Sequence, residues 1–299
     1  MSFTCSHISG NIGTDGEVYL DEQEKRLDSS VEITATIPEA PEATDLKHRW
    51  SESDSRTFQV RGLQYLKDRK KVPSSMPLMK ARGADFIQTD KFGPSHIVKH
   101  FPSILAGRLR ETPTLIFNIR MPFGNLAMYF EIPRRFLSLI KDFHDPFKSH
   151  SLEDLKQIIA GFTRPEDRAF CNFIIGENEY KDAHLKIIPK VIEGNILVRK
   201  LVHGKPVIIG KKLPVEYLYM APDPPHGLAE YLEVDLDTGS SSLHAQNIIS
   251  ICKRFMTGVT VDIGWLIEGK SIDLLPECML GAIRLHRIDP DKCPQIHVE

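Results

Sequence analysis

The sequence predicts an α+β fold: a mainly antiparallel sheet with inserted helices, in a single domain. Three observations predict it. Strand-like runs outnumber helical ones, and several alternate with period two. Helix-start signals fall between some of these runs rather than after every one. The regular βαβ alternation that a doubly wound parallel sheet requires is absent. The chain has 299 residues, 41% of them hydrophobic and 26% charged, which is enough to bury a sizeable core.

Each element has a local reason. Residues 57–61 (TFQVR) alternate and read as a strand. Residues 114–121 (TLIFNIRM) and 126–132 (LAMYFEI) are strand-like and flank Pro122-Phe123-Gly124-Asn125, so they read as a hairpin. Ser151 is an N-cap followed by acids, and Leu152, Leu155, Ile158 and Ile159 continue at helical spacing. Pro165-Glu166-Asp167 opens a second helix carrying Phe170, Phe173 and Ile174. Three runs rich in β-branched residues, 185–192, 196–202 and 207–209, are punctuated by Gly194-Asn195 and Gly204-Lys205, which predicts a meander. Residues 230–237 (EYLEVDLD) alternate, and 239–242 cap a helix running to about Met256 with Ala245, Ile248, Cys252 and Phe255 on its buried stripe. Residues 259–267 and 279–288 read as two final strands. Residues 141–151 and 222–227 read as long surface loops.

The formal net charge of −2 conceals a division. Residues 1–47 hold three basic against ten acidic residues, a net −7, with few aromatics and no sustained period. Such a segment buries too little apolar surface to offset chain entropy, so 1–47 reads as an acidic, mostly disordered tail. The domain is expected over 48–290, with a short C-terminal tail at 291–299. Residues 48–299 hold 35 basic against 30 acidic residues, a net +5.

The basic residues gather in two stretches. Residues 67–82 carry Lys67, Arg69, Lys70, Lys71, Lys80 and Arg82 against one acid, and a second set includes Lys186, Lys190, Arg199, Lys200, Lys205, Lys211 and Lys212. Clustered cations attract anionic headgroups, and a solvated charged face is the ordinary alternative. The binding residues expected are Lys67, Lys70, Lys71, Lys80, Arg199, Lys205, Lys211 and Lys212. Nucleic acid is disfavoured, because no helix combines a basic face with aromatic platforms.

No GxxxxGK[ST], HExxH or GxSxG motif is present, nor a GxGxxG opening a helix, which removes the commonest motif-bearing enzyme classes. No catalytic residue, metal or cofactor is assigned. Glu233, Asp235 and Asp237 share one strand face. They read as a hard-cation site, as a solvent-facing strand, or as supports of the strand-to-helix turn, and the last is preferred. His96 and His100 are four apart and could share a helix face; with no third ligand nearby they read as a helix surface or a core edge rather than a zinc site. If the protein were an enzyme, Asp235, Asp237, Asp262 and Glu268 would be the acids to suspect. The five cysteines are odd in number with no metal-ligand spacing, so free thiols in a reducing compartment are expected. No secretory signal or membrane-length apolar window is read, which predicts a cytoplasmic protein, soluble or peripheral on internal membranes.

Matching stretches recur in one order: Trp50; Phe58-x-Val60-Arg61-Gly62-x-x-Tyr65-Leu66-x-Asp68-x-Lys70-Lys71-x-Pro73; Leu185-Lys186-Ile187-Ile188-Pro189; Tyr231-Leu232-Glu233-Val234-Asp235-Leu236-Asp237-x-Gly239-Ser240-Ser241; Leu266-Ile267-Glu268-Gly269; Leu275-Pro276-Glu277. By these the chain from Trp50 to about Asp289 resembles the C-terminal domain of the plant Enhanced Disease Resistance 2 proteins. There the domain follows pleckstrin-homology and START modules, in negative regulators of defence-related cell death associated with internal membranes. The resemblance implies a non-enzymatic regulatory domain that binds lipid or a membrane surface. A protein-interaction module in signalling is the second reading. Forty-seven residues before the domain are too few for either module, so their phosphoinositide recognition is not expected here. Two departures stand out: His184-Leu185 in place of Arg-Phe, and Gly264-Trp265 in place of Ala-Phe.

Overall fold

The computed structural model describes residues 32–41, 46–107, 109–145, 147–202, 204–223 and 227–298. It is one α+β domain built on two facing sheets. The first sheet holds β1 (Arg49–Glu52), β7 (Leu185–Glu193), β8 (Val207–Ile208), β11 (Thr260–Ile267) and β12 (Met279–His286) in the order β1-β12-β11-β7-β8, antiparallel throughout. The second holds β4 (Lys80–Thr89), β5 (Thr114–Met121), β6 (Gly124–Glu131), β9 (Val215–Met220), β10 (Tyr231–Asp237) and β13 (Gln295–Ile296) in the order β13-β4-β6-β5-β10-β9. Its β10–β5 and β13–β4 pairs are parallel, so this sheet is mixed. A separate ribbon pairs β2 (Gln59–Arg61) with β3 (Lys71–Pro73).

Period-two alternation divides the side chains into layers. Phe117, Phe130, Val234 and Leu236 of the mixed sheet meet Ile263, Trp265, Ile283 and Leu285 of the antiparallel sheet in the main core. Phe117 and Trp265 stack at 3.8 Å with their rings 4° from parallel. A Cβ at Gly281 would run into the Phe130 ring, so the glycine allows the close approach of the sheets. Ile116, Ala127, Tyr129 and Tyr231 face outward from the mixed sheet and are covered by the short helices α2 (Ile97–His100) and α3 (Ser103–Ala106). Ile188, Leu266 and Met279 face outward from the antiparallel sheet and are covered by Phe58 and Val60 of the ribbon.

The hairpin at 121–124 is as tight as the sequence suggests, with Met121 opposite Gly124. Gly124 has φ +149°, and a Cβ there would collide with the Ile87 carbonyl oxygen. Between the hairpin and β7 lie α4 (Leu137–His144), α5 (Leu152–Ala160), α6 (Pro165–Ile175) and α7 (Asn178–His184). Ser151 caps α5 in a full capping box with Asp154, and Pro165 is the first residue of α6. Ser242 caps α9 (Leu243–Phe255), whose apolar side is only half-buried.

Four expectations are corrected. Residues 196–201 form helix α8 (Ile196–Leu201), because Asn195 caps Leu197 N and the place beside β7 is taken by Val207–Ile208. Residues 141–144 complete α4 instead of opening a loop. His96 stands outside α2, in the left-handed region at φ 51°, so it shares no helix face with His100. Packed chain also begins before residue 48. Ile33 and Ile37 are fully buried, Ile37 bridges to Ala84, and Thr36 exchanges hydrogen bonds with Asp85 and Phe86. The remaining residues expected in the tail, 1–31 and 42–45, lie outside the described residues, as do 224–226 of the expected loop at 222–227. Among the described residues Cys171, Cys252, Cys278 and Cys293 are free thiols, and no helix is long and apolar enough to cross a membrane.

His144, at the end of α4, stacks on Tyr219 at 4.1 Å. Burial, and then the nearby Lys181 charge, hold its pKa down at about 4. The unfolded imidazole protonates near 6.5, so its contribution to stability is complete above that pH and is lost as pH falls toward 4. An NMR titration is expected to place the His144 midpoint about two units below those of exposed histidines. His144→Phe, which keeps the stack, should show a shallower fall in Tm between pH 6.5 and 4. A midpoint near 6.5 would contradict this burial.

Candidate functional site

The candidate site grows from the ribbon. After β2 the chain makes one helical turn, α1 (Tyr65–Asp68), then reverses at Arg69 in the left-handed region (φ 57°) and returns as β3. Gly62 N donates to Lys70 O and Val60 pairs with Val72, which fixes residues 62–70 as a protruding tip. Leu63 is 59% exposed, and Leu66 and Val72 are also exposed. Met76, just beyond β3, is 71% exposed. Lys67, Arg69, Lys70 and Lys71 stand exposed among them. Large apolar side chains held in water between cations are the unusual feature, since scattered single exposed apolar residues need no explanation.

The base of the tip is held by buried charges. Lys186 Nζ lies 3.0 Å from Glu268 and 3.1 Å from Glu277. Arg61 Nη2 lies 2.9 Å from Glu268, and the guanidinium covers the Tyr65 ring at 4.8 Å. Glu277 also accepts hydrogen bonds from the backbone N–H groups of Arg61 and Gly269 at 3.0 Å. Burial pushes the Glu268 pKa up, but the Lys186 hydrogen bond and the charges of Lys186, Arg61 and Lys270 outweigh it and hold the carboxyl below its ordinary value. Two acids and two cations thus neutralise one another, as buried charges must.

Between the ribbon and the sheet lies a cavity of about 180 Å³, with Tyr65, Lys71, Lys186, Pro206 and Glu268 among its walls. The several hundred Å³ expected of a lipid-sized pocket is not reached, and the walls carry charge. The arrangement presents a surface rather than a tunnel.

The two basic stretches meet only in part. Lys71 and Lys186 line one cavity, and Lys205 precedes its wall residue Pro206. Lys67 and Lys70 belong to the tip. Lys80 opens β4 opposite Glu131, Arg199 lies on α8, and Lys211 and Lys212 follow β8; none of these four lines the cavity. Sequence reasoning did not single out Leu63 and Val72. The available signal was apolar residues interleaved with a cation run, which in an ordinary helix would read as a buried stripe.

The acidic strand is different from a solvated face. Glu233 and Asp235 are each 1% exposed, because α2 and the preceding turn cover that side of the mixed sheet. Glu233 accepts a hydrogen bond from Ile97 N at 2.7 Å and Asp235 one from His96 N at 2.9 Å. Asn118 Nδ2 donates to Asp235 Oδ1, and Asn125 Nδ2 donates to Asn118 Oδ1 at 2.8 Å. Burial, followed by the neighbouring Asp235 charge, pushes the Glu233 pKa well up; burial also raises that of Asp235. Asp237 accepts from Gly239 N and Ser240 N, fixing the turn into α9. Asp262 is paired with Arg284 at 2.6 and 2.8 Å on the other sheet. The four acids suspected of catalysis therefore sit in four separate settings.

The family model described as Protein ENHANCED DISEASE RESISTANCE 2, C-terminal, matches residues 50–289. Protein ENHANCED DISEASE RESISTANCE 2-like of Arabidopsis thaliana is 25% identical over 245 residues, covering 80% of this chain and 28% of that protein. This chain therefore spans less than a third of that relative's length. No solved structure matches it.

Proposed function

The chain belongs to the Enhanced Disease Resistance 2 C-terminal family, and on that premise we propose that it is a non-enzymatic regulatory domain of signalling that docks on an anionic membrane surface. The observation that carries the reading is the tip at 62–70 with the β3 residues that lead from it. Leu63, Leu66 and Val72 are poised to enter the headgroup region while Lys67, Arg69, Lys70 and Lys71 meet the lipid charge. The buried network at Arg61, Lys186, Glu268 and Glu277 keeps the tip rigid, so docking orders little new chain. The separate settings of Asp235, Asp237, Asp262 and Glu268 support the non-enzymatic part.

Co-sedimentation with vesicles containing phosphatidylserine or phosphoinositide tests it at low salt. Each cation near such a surface is worth about 1 kcal/mol, so the double reversal K70E/K71E should weaken binding at least about tenfold. Leu63→Ser with Leu66→Ser should weaken it further, whereas K211E/K212E, away from the tip, should have a much smaller effect. No binding by the unaltered protein would refute the proposal, as would equal losses in the two charge-reversal pairs. Loss of a protein partner in the tip variants, with vesicles never bound, would favour the interaction-module reading instead.

A further inference from the structure

A second constellation lies on the covered face of the mixed sheet. Asp235 on β10 stands directly opposite Glu216 on the edge strand β9. Like charges in opposed positions of neighbouring strands repel. The side chain that reaches both is His96, from the turn that crosses this face. Its Nε2 lies 3.7 Å from Asp235 Oδ2 and 3.7 Å from Glu216 Oε2, and the three atoms lie within 4.8 Å of one another.

We propose that His96, Glu216 and Asp235 form a divalent-cation site of the zinc class. Two ligand atoms bound at about 2.0–2.1 Å in a tetrahedral arrangement are about 3.4 Å apart. Each imidazole separation needs only a few tenths of an ångström of closure, while the two carboxylate oxygens, within 4.8 Å of each other, need up to about 1.4 Å, which the half-exposed Glu216 side chain can supply. An imidazole with two carboxylates suits zinc better than calcium or magnesium, which take oxygen ligands.

The surroundings have the form of a supporting shell. Asn118 Nδ2 holds the other Asp235 oxygen at 2.5 Å. Arg120 Nη1 lies 3.8 Å from the other Glu216 oxygen, while its Nε is fixed on Gly93 O at 2.9 Å. The guanidinium partly offsets the two carboxylates and leaves the Glu216 Oε2 face to the cation. His96 is held in place by its own N–H on Asp235, with its backbone in the left-handed region. Beside Asp235 lies a further buried carboxyl group, that of Glu233, within hydrogen-bond reach of Asp235. Asp235 is buried and Glu216 is half exposed, so the site opens to solvent on one side, where water can complete the coordination.

Metal titration of the full chain after chelator treatment tests the site. Co2+ followed by visible absorption is expected to bind at one equivalent, with the spectrum of nitrogen and oxygen ligands and no thiolate charge-transfer band. Zn2+ should displace it. His96→Asn removes the imidazole with a side chain that tolerates the left-handed backbone. Glu216→Gln removes a ligand at an exposed edge position. Each should weaken binding tenfold or more, whereas Glu193→Gln on the other sheet should leave it unchanged. Absence of saturable binding by the unaltered protein would overturn the proposal. So would unchanged affinity in both site variants, or a thiolate band showing that the cysteines are the ligands.

Discussion

Trp265→Ala is expected to lower the free energy of unfolding by about 3–5 kcal/mol, the range for truncating a large aromatic in a packed core. Trp265 is fully buried on β11 and stacks on Phe117 of the facing sheet. Removing the indole opens a void where the two sheets meet, and the surrounding strands cannot collapse into it without breaking register. Its Nε1 is buried without a partner, so the indole N–H carries a desolvation cost. Trp265→Phe removes that cost while keeping a ring on Phe117, and should be far milder than the alanine change. Urea unfolding of both variants checks this. Equal losses would mean that the stack contributes nothing beyond bulk.

Glu277→Ala should cost a similar amount, about 3–5 kcal/mol, by a different mechanism. Glu277 is 2% exposed at its side chain and satisfies Lys186 and the backbone N–H groups of Arg61 and Gly269. Its loss leaves buried donors unmatched and Lys186 balanced by Glu268 alone. The paired change Lys186→Met with Glu277→Leu should recover much of the loss, since well-packed apolar replacements of a buried ion pair are often tolerated. A cost below about 1 kcal/mol for Glu277→Ala would show that water satisfies these groups, and that the network is solvated.

These two sites mark how far local reading extends. Strands 114–121, 185–193, 231–237, 260–267 and 279–286 were legible, because each is a run of period-two or β-branched residues long enough to declare itself. The capping box at Ser151 and the proline start of α6 were legible for the same local reason. The helix at 196–201 was not. Its composition, ILVRKL, fits a strand, and only the presence of β8 alongside β7 and the Asn195 cap turn it into a helix. Strand β4 was also missed, since its sequence, KARGADFIQT, carries a glycine and two basic residues within its first four positions.

The candidate site shows the same boundary. Lys67, Lys70 and Lys71 are visible as a charge run, and Arg61, Tyr65, Lys186, Glu268 and Glu277 belong to separate stretches of the family resemblance. That these join in one network beneath an apolar tip depends on a ribbon lying across the sheet, a contact between residues some 200 positions apart. Likewise, alternation placed Glu233 and Asp235 on one face, but a strand does not say what covers that face.

The sequence by itself thus determined the class of fold, most of the long strands, the family and the presence of clustered cations, because these follow from neighbours along the chain. Only the tertiary structure decided which charges are buried, which apolar side chains remain in water, and that His96 stands between Glu216 and Asp235. Those outcomes rest on burial and on long-range pairing, and both are set by which surfaces meet once the sheets close.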